Sequence, residues 1–118
     1  MATNSAPGSV EFATHGEARV VVMAGEFDMD HLGGLREALD PLAEGVARYV
    51  LDVTAVTFTD STALSVMLQP VLVRPVILAG VTPGHLARLL EVTGADRVFA
   101  SAASVEEALV MAVPSRRA

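Results

Sequence analysis

Cysteine and lysine are both absent from this chain of 118 residues. Without cysteine the protein has no disulfide, no thiolate ligand for zinc and no thiol nucleophile. All eight positively charged residues are arginines, and 14 carboxylates leave a formal net charge of −6. A nucleic-acid surface needs clustered positive charge to displace counterions from phosphates. We therefore expect no nucleic-acid partner.

Long apolar runs are missing as well. The longest, from Val71 to Val81, is interrupted by Arg74 and Pro75 and is too short to span a bilayer. Residues 1–8 lack the positive start and the apolar centre of a secretion signal. We therefore expect a cytoplasmic protein with no membrane partner.

The composition favours one compact domain. Hydrophobic residues make up 52% of the chain and charged residues 19%, which is typical of a globular protein. A chain of this length supports a single hydrophobic core. We place the domain at residues 9–113, with a disordered N-terminus at residues 1–8 and a tail at residues 114–118.

The hydrophobic pattern alternates between strand and helix periods. Strands are predicted at residues 10–12, 18–24, 49–53, 75–79 and 97–100. The first two would form a hairpin. The predicted fold class is α/β: one domain with a mixed sheet of four to five strands and about four helices packed mainly on one face.

Capping residues place the four helices. The first would be capped by Asp28 and Asp30 and would carry its apolar residues on one face. These apolar residues are Leu32, Leu35, Leu39, Leu42 and Val46. The other helices would run from Asp60-Ser61 to about Pro70, from Thr82-Pro83 to Gly94, and from a capping box at Ser104, with Val105, Ala108, Leu109 and Ala112 facing inward.

Signals of catalysis are weak. His15, His31 and His85 fall in a turn and at two helix starts, and they form no ligand pair at helical spacing. Neither a P-loop nor a dinucleotide-binding glycine pattern is present. We expect no enzymatic activity, no catalytic residue, no cofactor and no metal site.

Three aspartates leave one chemical alternative open. Asp28, Asp30 and Asp60 could converge at one end of the sheet, where they would bind a divalent cation or act as an acid–base pair. A small-ligand binder or minor enzyme would use this cleft. Helix capping explains the same residues more simply.

Residues 55–68 form the stretch around which the chain is organised. Asp60 and Ser61 lie where a predicted strand passes into a predicted helix, and both residue types are favoured there as helix caps. Thr57 and Thr59 are expected to be structural residues of the strand. A capping role alone is the simplest interpretation of Asp60 and Ser61.

Four segments, however, resemble the STAS domain family, and specifically the bacterial anti-sigma factor antagonists. They are Gly25-Glu26-Phe27-Asp28 with the following Leu35 to Leu39, Tyr49 to Leu64, Leu89 to Phe99, and Ser104 to Leu109. The segments occur in the family's order, and the match as a whole covers residues 10–112. The resemblance implies a STAS fold.

The resemblance also implies a function. In that family the unphosphorylated protein binds an anti-sigma factor that is also a serine/threonine kinase, and so releases a sigma factor. Phosphorylation by the kinase switches the antagonist off. The matching acceptor is Ser61, with Thr62 as runner-up, and the partner-binding residues would be Asp28, Asp60, Ser61, Thr62, Ala63 and Ser65. The protein would be a monomer or a weak homodimer.

Two departures from the family pattern leave an alternative. Ala63 and Ser65 replace two glycines, which adds side-chain atoms near the predicted acceptor, and the interval from Asp60 to Pro83 is shorter than usual. The alternative function is a STAS module that assembles with other proteins without being phosphorylated. Such a module would belong to a stress-signalling complex or serve as a transporter accessory.

Overall fold

The computed structural model describes residues 8–112. Its five strands are β1 (Ser9–His15), β2 (Ala18–Phe27), β3 (Arg48–Thr59), β4 (Val76–Ala79) and β5 (Ala100–Ala102). Its four α-helices are α1 (Gly33–Ala38), α2 (Ser61–Leu68), α3 (Gly84–Thr93) and α4 (Val105–Val110). The interpretations of residues 1–7 and 113–118 lie outside the described residues. No helix in the described part is long and apolar enough to cross a membrane.

The strands form one mixed sheet in the order β1-β2-β3-β4-β5. β1 pairs antiparallel with β2 through a turn at Gly16, whose φ of 63° suits glycine. All later neighbours are parallel. The predicted hairpin, the mixed sheet and the α/β class are confirmed.

Helices cover both faces of the sheet unequally. The larger core lies on one face and includes Leu35 of α1, Met67 of α2 and Leu86 of α3. A smaller cluster lies on the other face, where Ala108 of α4 packs near Val50 and Ile77. Three of the four helices therefore share one face, as the sequence predicts.

β3 is much longer than the predicted strand at residues 49–53. It continues to Thr59 because β2 remains paired with it as far as Phe27, through register shifts that follow Val22 and Gly25. β4 pairs with β3 only between Tyr49 and Asp52. The extra length brings the last residues of β2 and β3 side by side, beyond the rest of the sheet.

The predicted first helix is wrong in length and in its cap. α1 begins after Leu32 with no side-chain cap, so neither Asp28 nor Asp30 caps it. It ends at Ala38 because Pro41 disfavours helical geometry at the preceding residue, and Oδ1 of Asp40 accepts the N–H of Leu42 in a turn. Leu42 is consequently 84% exposed instead of buried.

Later boundaries shift by smaller amounts. Pro83 is the N-cap of α3, so the helix begins at Gly84, directly after the predicted start at Thr82-Pro83. The last predicted strand exists but is displaced, since residues 95–97 form a 3₁₀ turn and β5 runs over Ala100–Ala102 instead of residues 97–100. The predicted stops of α2 before Pro70 and of α3 at Gly94 are confirmed.

The capping box of α4 is confirmed in the hydrogen bond that Ser104 accepts from Glu107. Oγ of Ser104 accepts the N–H of Glu107 at 3.1 Å, and the Glu107 carboxylate accepts the N–H of Ala103 at 2.7 Å. Because the helix ends at Val110, Ala112 is exposed and does not face inward as predicted.

Candidate functional site

The candidate site is built where β2 and β3 end together. Phe27 pairs with Thr59, and the N–H of Asp60 donates to the carbonyl of Phe27 at 3.1 Å. The loop that begins at Asp28 therefore lies against the start of α2. Parallel pairing of the two strands brings together two segments that are far apart in sequence.

Asp60 joins these two segments with its side chain. Its Oδ1 accepts the N–H of Ala63 at 2.8 Å and so caps α2, as the sequence predicts. Its Oδ2 accepts the N–H of Met29 at 3.2 Å, in the loop after β2. Each carboxylate oxygen thus accepts a hydrogen bond from a backbone N–H, one in α2 and one in the loop after β2. Together the two bonds fix the start of α2 against that loop.

Ser61 is the first residue of α2 and is exposed, as the acceptor hypothesis requires. Among residues 8–112 no group hydrogen-bonds its hydroxyl, so this hydroxyl does not contribute to holding the described part of the fold together. Thr62 is half-buried and Ser65 is exposed. Oγ of Ser65 donates to the carbonyl of Ser61 at 3.1 Å, which ties the Ser65 side chain to its own helix.

Ala63 requires a correction to its predicted role. Its side chain is completely buried in the main core, and its N–H is bound by Asp60. Its methyl group therefore adds nothing to the surface beside Ser61 and cannot contact a partner. Of the two residues that replace family glycines, only Ser65 changes the exposed surface.

Asp28 forms a compact turn in place of a helix cap. Its Oδ1 accepts the N–H of Asp30 at 3.0 Å, and Nδ1 of His31 lies 2.7 Å from the same oxygen. The hydrogen bond from His31, followed by that from the Asp30 backbone, lowers the pKa of the Asp28 carboxyl from its ordinary value of 3.8. The sequence analysis placed His31 at a helix start and assigned it no partner, although its i,i+3 spacing from Asp28 is a signal for this contact.

The lowered pKa of Asp28 gives a testable titration. In the folded protein the carboxylate should protonate below pH 3.8, so its stabilising contacts are complete above the unfolded pKa and are lost as pH falls through the folded value. We expect a carbon-detected NMR titration to show this lowered midpoint. His31→Ala should move the midpoint upward, and an unchanged midpoint in that variant would contradict the assigned cause.

The three aspartates do not form a cation site. Within residues 8–112 no cluster of three histidine or carboxylate side chains is arranged to hold a metal ion. Both oxygens of Asp60 already accept backbone N–H groups, and Asp30 is exposed in the turn that Asp28 forms. The site is instead an acidic surface around an exposed hydroxyl at a helix N-terminus.

The sequence model of one family, described as "Mlab, STAS domain", matches residues 10–110. The chain belongs to the STAS domain family. This match covers the sheet and all four helices of the domain, and it includes the Asp60–Ser61 site. Among curated proteins, none matches the chain significantly.

Solved structures support the same assignment. An anti-sigma factor antagonist from Mycobacterium paratuberculosis is 25% identical, with a TM-score of 0.75 over 89% of this chain and 95% of that one. The anti-sigma factor antagonist SpoIIAA in its unphosphorylated form gives 14% identity and a TM-score of 0.64, covering 86% of this chain and 94% of that one. The Bacillus cell fate determinant SpoIIAA in its phosphorylated form is 17% identical, with a TM-score of 0.67 over 86% of this chain and 96% of that one. The two SpoIIAA structures show the fold alone.

The resemblance to STAS domains of the antagonist type is therefore confirmed for family and fold. This STAS domain is structurally similar to anti-sigma factor antagonists. The roles of Ser61, Thr62 and the surrounding aspartates are not decided by similarity of fold. Those roles depend on the geometry of the site itself.

Proposed function

We propose that this STAS domain is an anti-sigma factor antagonist that binds an anti-sigma factor with serine/threonine kinase activity. Binding releases a sigma factor, and phosphorylation of Ser61 by the kinase ends the interaction. The protein acts by binding and has no catalytic residue of its own. The observation that carries this proposal is the free, exposed hydroxyl of Ser61 on a firmly capped helix.

The start of α2 is a favourable place for a phosphate. The first N–H groups of a helix and its macrodipole attract negative charge, and α2 is eight residues long. The cap is supplied by Asp60, so a modified Ser61 need not give up a hydrogen bond that holds the fold. The phosphorylated domain should therefore keep its structure, and the modification should act on the partner.

The partner surface would change strongly on phosphorylation. A phosphate adds about −1.5 to −2 charges and considerable bulk. It would stand beside Asp60 and near Asp28, whose carboxyl has a lowered pKa and stays ionised. A partner that complements these carboxylates around a bare serine would lose that fit. Thr62 is the less accessible alternative acceptor because it is half-buried.

An assembly module that is never phosphorylated is the second candidate. The description of the matching family model names Mlab and does not mention anti-sigma factor antagonists. Ser65, which replaces a family glycine, also adds an exposed side chain one turn from Ser61. Such a module would bind its partners equally well with or without kinase and ATP.

The test uses the unmodified protein as bait in an extract of its native cell. We expect it to retain an anti-sigma factor with a kinase domain, identified by mass spectrometry. That kinase, once purified and given MgATP, should phosphorylate Ser61 and then release the protein. If the retained partner has no kinase activity, or if it modifies neither Ser61 nor Thr62, the assembly module is the better account.

A further inference from the structure

A surface groove lies directly before the acceptor segment, between the end of β3 and the exposed side of α3. Its volume is about 360 Å³. We call it the Phe58 groove, and its lining residues are Phe58, Thr59, His85, Arg88, Leu89 and Val92. Thr59 directly precedes Asp60 and Ser61 in the chain, so one end of the groove lies next to the acceptor segment.

The walls of the groove are apolar but open to solvent. Phe58 is 45% exposed and Val92 is 74% exposed, whereas Leu89 is partly buried against the main core. The ring of His85 stacks on Phe58, with centroids 6.4 Å apart and planes at 7°. This stack holds the Phe58 ring at the surface as a flat wall. Exposed aromatic and aliphatic side chains in a concave site are typical of binding surfaces.

The groove also contains a buried hydroxyl without a partner. Thr59 is only 5% exposed, and its Oγ1 has no hydrogen bond within the described residues. Buried polar groups are nearly always hydrogen-bonded, so this hydroxyl requires a partner, either a water molecule or a polar group that enters the groove. Strand packing explains the position of Thr59 beside Phe27, but it does not explain the free hydroxyl.

Arg88 provides the charge in the groove. It is exposed and makes no ion pair with any described residue, although the chain has a net charge of −6. The acceptor surface around Asp28 and Asp60 is negative, and the groove beside it carries a positive guanidinium. A partner that complements both surfaces must itself present an acidic group at the groove.

We propose that the Phe58 groove binds a segment of the anti-sigma kinase in which an apolar side chain stands next to a carboxylate. The apolar side chain packs between Phe58 and Val92, and the carboxylate pairs with Arg88. A polar group of the same segment hydrogen-bonds the Thr59 hydroxyl. This inference rests on the proposed function and adds a second contact, which phosphorylation of Ser61 does not directly alter.

The first test compares two valines on opposite faces of the sheet. Val92→Asp places a carboxylate in the groove, whereas Val110→Asp makes the same change at a comparably exposed position on α4. With the purified kinase identified above, we expect Val92→Asp to weaken binding by about tenfold or more and Val110→Asp by less than about twofold. Arg88→Glu should weaken binding similarly. Arg88→Lys should bind the kinase nearly as tightly as the parent protein because the positive charge is kept.

The second test observes the groove without a mutation in it. The chain has four phenylalanines, so fluorine-labelled phenylalanine gives a simple spectrum. We expect kinase to shift or broaden the signal of Phe58, which lines the groove, and to leave that of Phe12 on β1 unchanged. A Phe58 signal that depends on protein concentration before kinase is added would mean that a second copy occupies the groove, and would overturn the proposal.

The outcomes distinguish failure of the groove proposal from failure of the proposed function on which it rests. If the native protein retains no anti-sigma kinase, both proposals fail. If the kinase binds and phosphorylates Ser61, but Val92→Asp and Arg88→Glu bind like the parent and the Phe58 signal does not move, only the groove is overturned. Weak binding by Val92→Asp counts as support only if its unfolding midpoint in urea matches that of Val110→Asp.

Discussion

Ser61→Asp is expected to bind the anti-sigma kinase about a hundredfold more weakly than the parent protein, whereas Ser61→Ala should bind like the parent and resist inactivation by kinase and ATP. The aspartate places a permanent charge beside Asp60 and near Asp28, where the partner would meet a bare serine. A hundredfold loss corresponds to about 3 kcal/mol of binding free energy. Calorimetric titration of the purified kinase measures both affinities.

Neither substitution should unfold the domain. The capping bonds are made by Asp60, and the Ser61 hydroxyl binds no described group, so each variant should stay within about 0.5 kcal/mol of the parent in urea unfolding. An acidic side chain in the first turn even interacts favourably with the helix dipole. A binding loss that coincides with a large stability loss would contradict the assignment of Ser61 to the partner surface.

Thr14→Asp is the matched control for added charge. Thr14 is also an exposed hydroxyl residue, but it lies on β1 beside the hairpin turn, away from the ends of β2 and β3 that carry the acceptor site. We expect its substitution to leave kinase binding unchanged. If Thr14→Asp weakens binding as much as Ser61→Asp, total charge and not the acceptor position determines affinity, and the switch hypothesis fails.

The sequence could predict features that are determined by neighbouring residues. Asp60 caps α2 as expected, and the Ser104 capping box and the stop at Gly94 also hold, because each depends on a few consecutive residues. The exposure of Ser61 follows from the same local signal. The strand-to-helix transition on which the proposed function depends was therefore predictable before the tertiary structure was known.

Contacts between distant segments were not predictable in this way. The bond from the Met29 N–H to Asp60 exists only because β2 and β3 stay paired to Phe27 and Thr59. The burial of the Ala63 methyl depends on how α2 packs against the sheet. The groove beside Phe58 depends on the position of α3, since His85 is otherwise an unremarkable residue at a helix start.

Apolar spacing alone also misplaced part of the first helix. Leu35 and Leu42 are seven residues apart, so an uninterrupted helix would bury both on one face. The turn at Asp40 and Pro41 breaks this relation: Leu35 is fully buried in the main core, and Leu42 projects from the turn. A local break therefore overrides a regular hydrophobic pattern.

The two leucines give a matched prediction for stability. Leu35→Ala should lower the free energy of unfolding by about 2–5 kcal/mol, because it leaves a cavity in a core where the leucine is fully buried. Leu42→Ala removes the same atoms from an exposed position and should change stability by less than about 0.5 kcal/mol. Urea unfolding of both variants measures the difference. Equal losses would mean that the helix continues past Pro41 in solution and buries Leu42 after all.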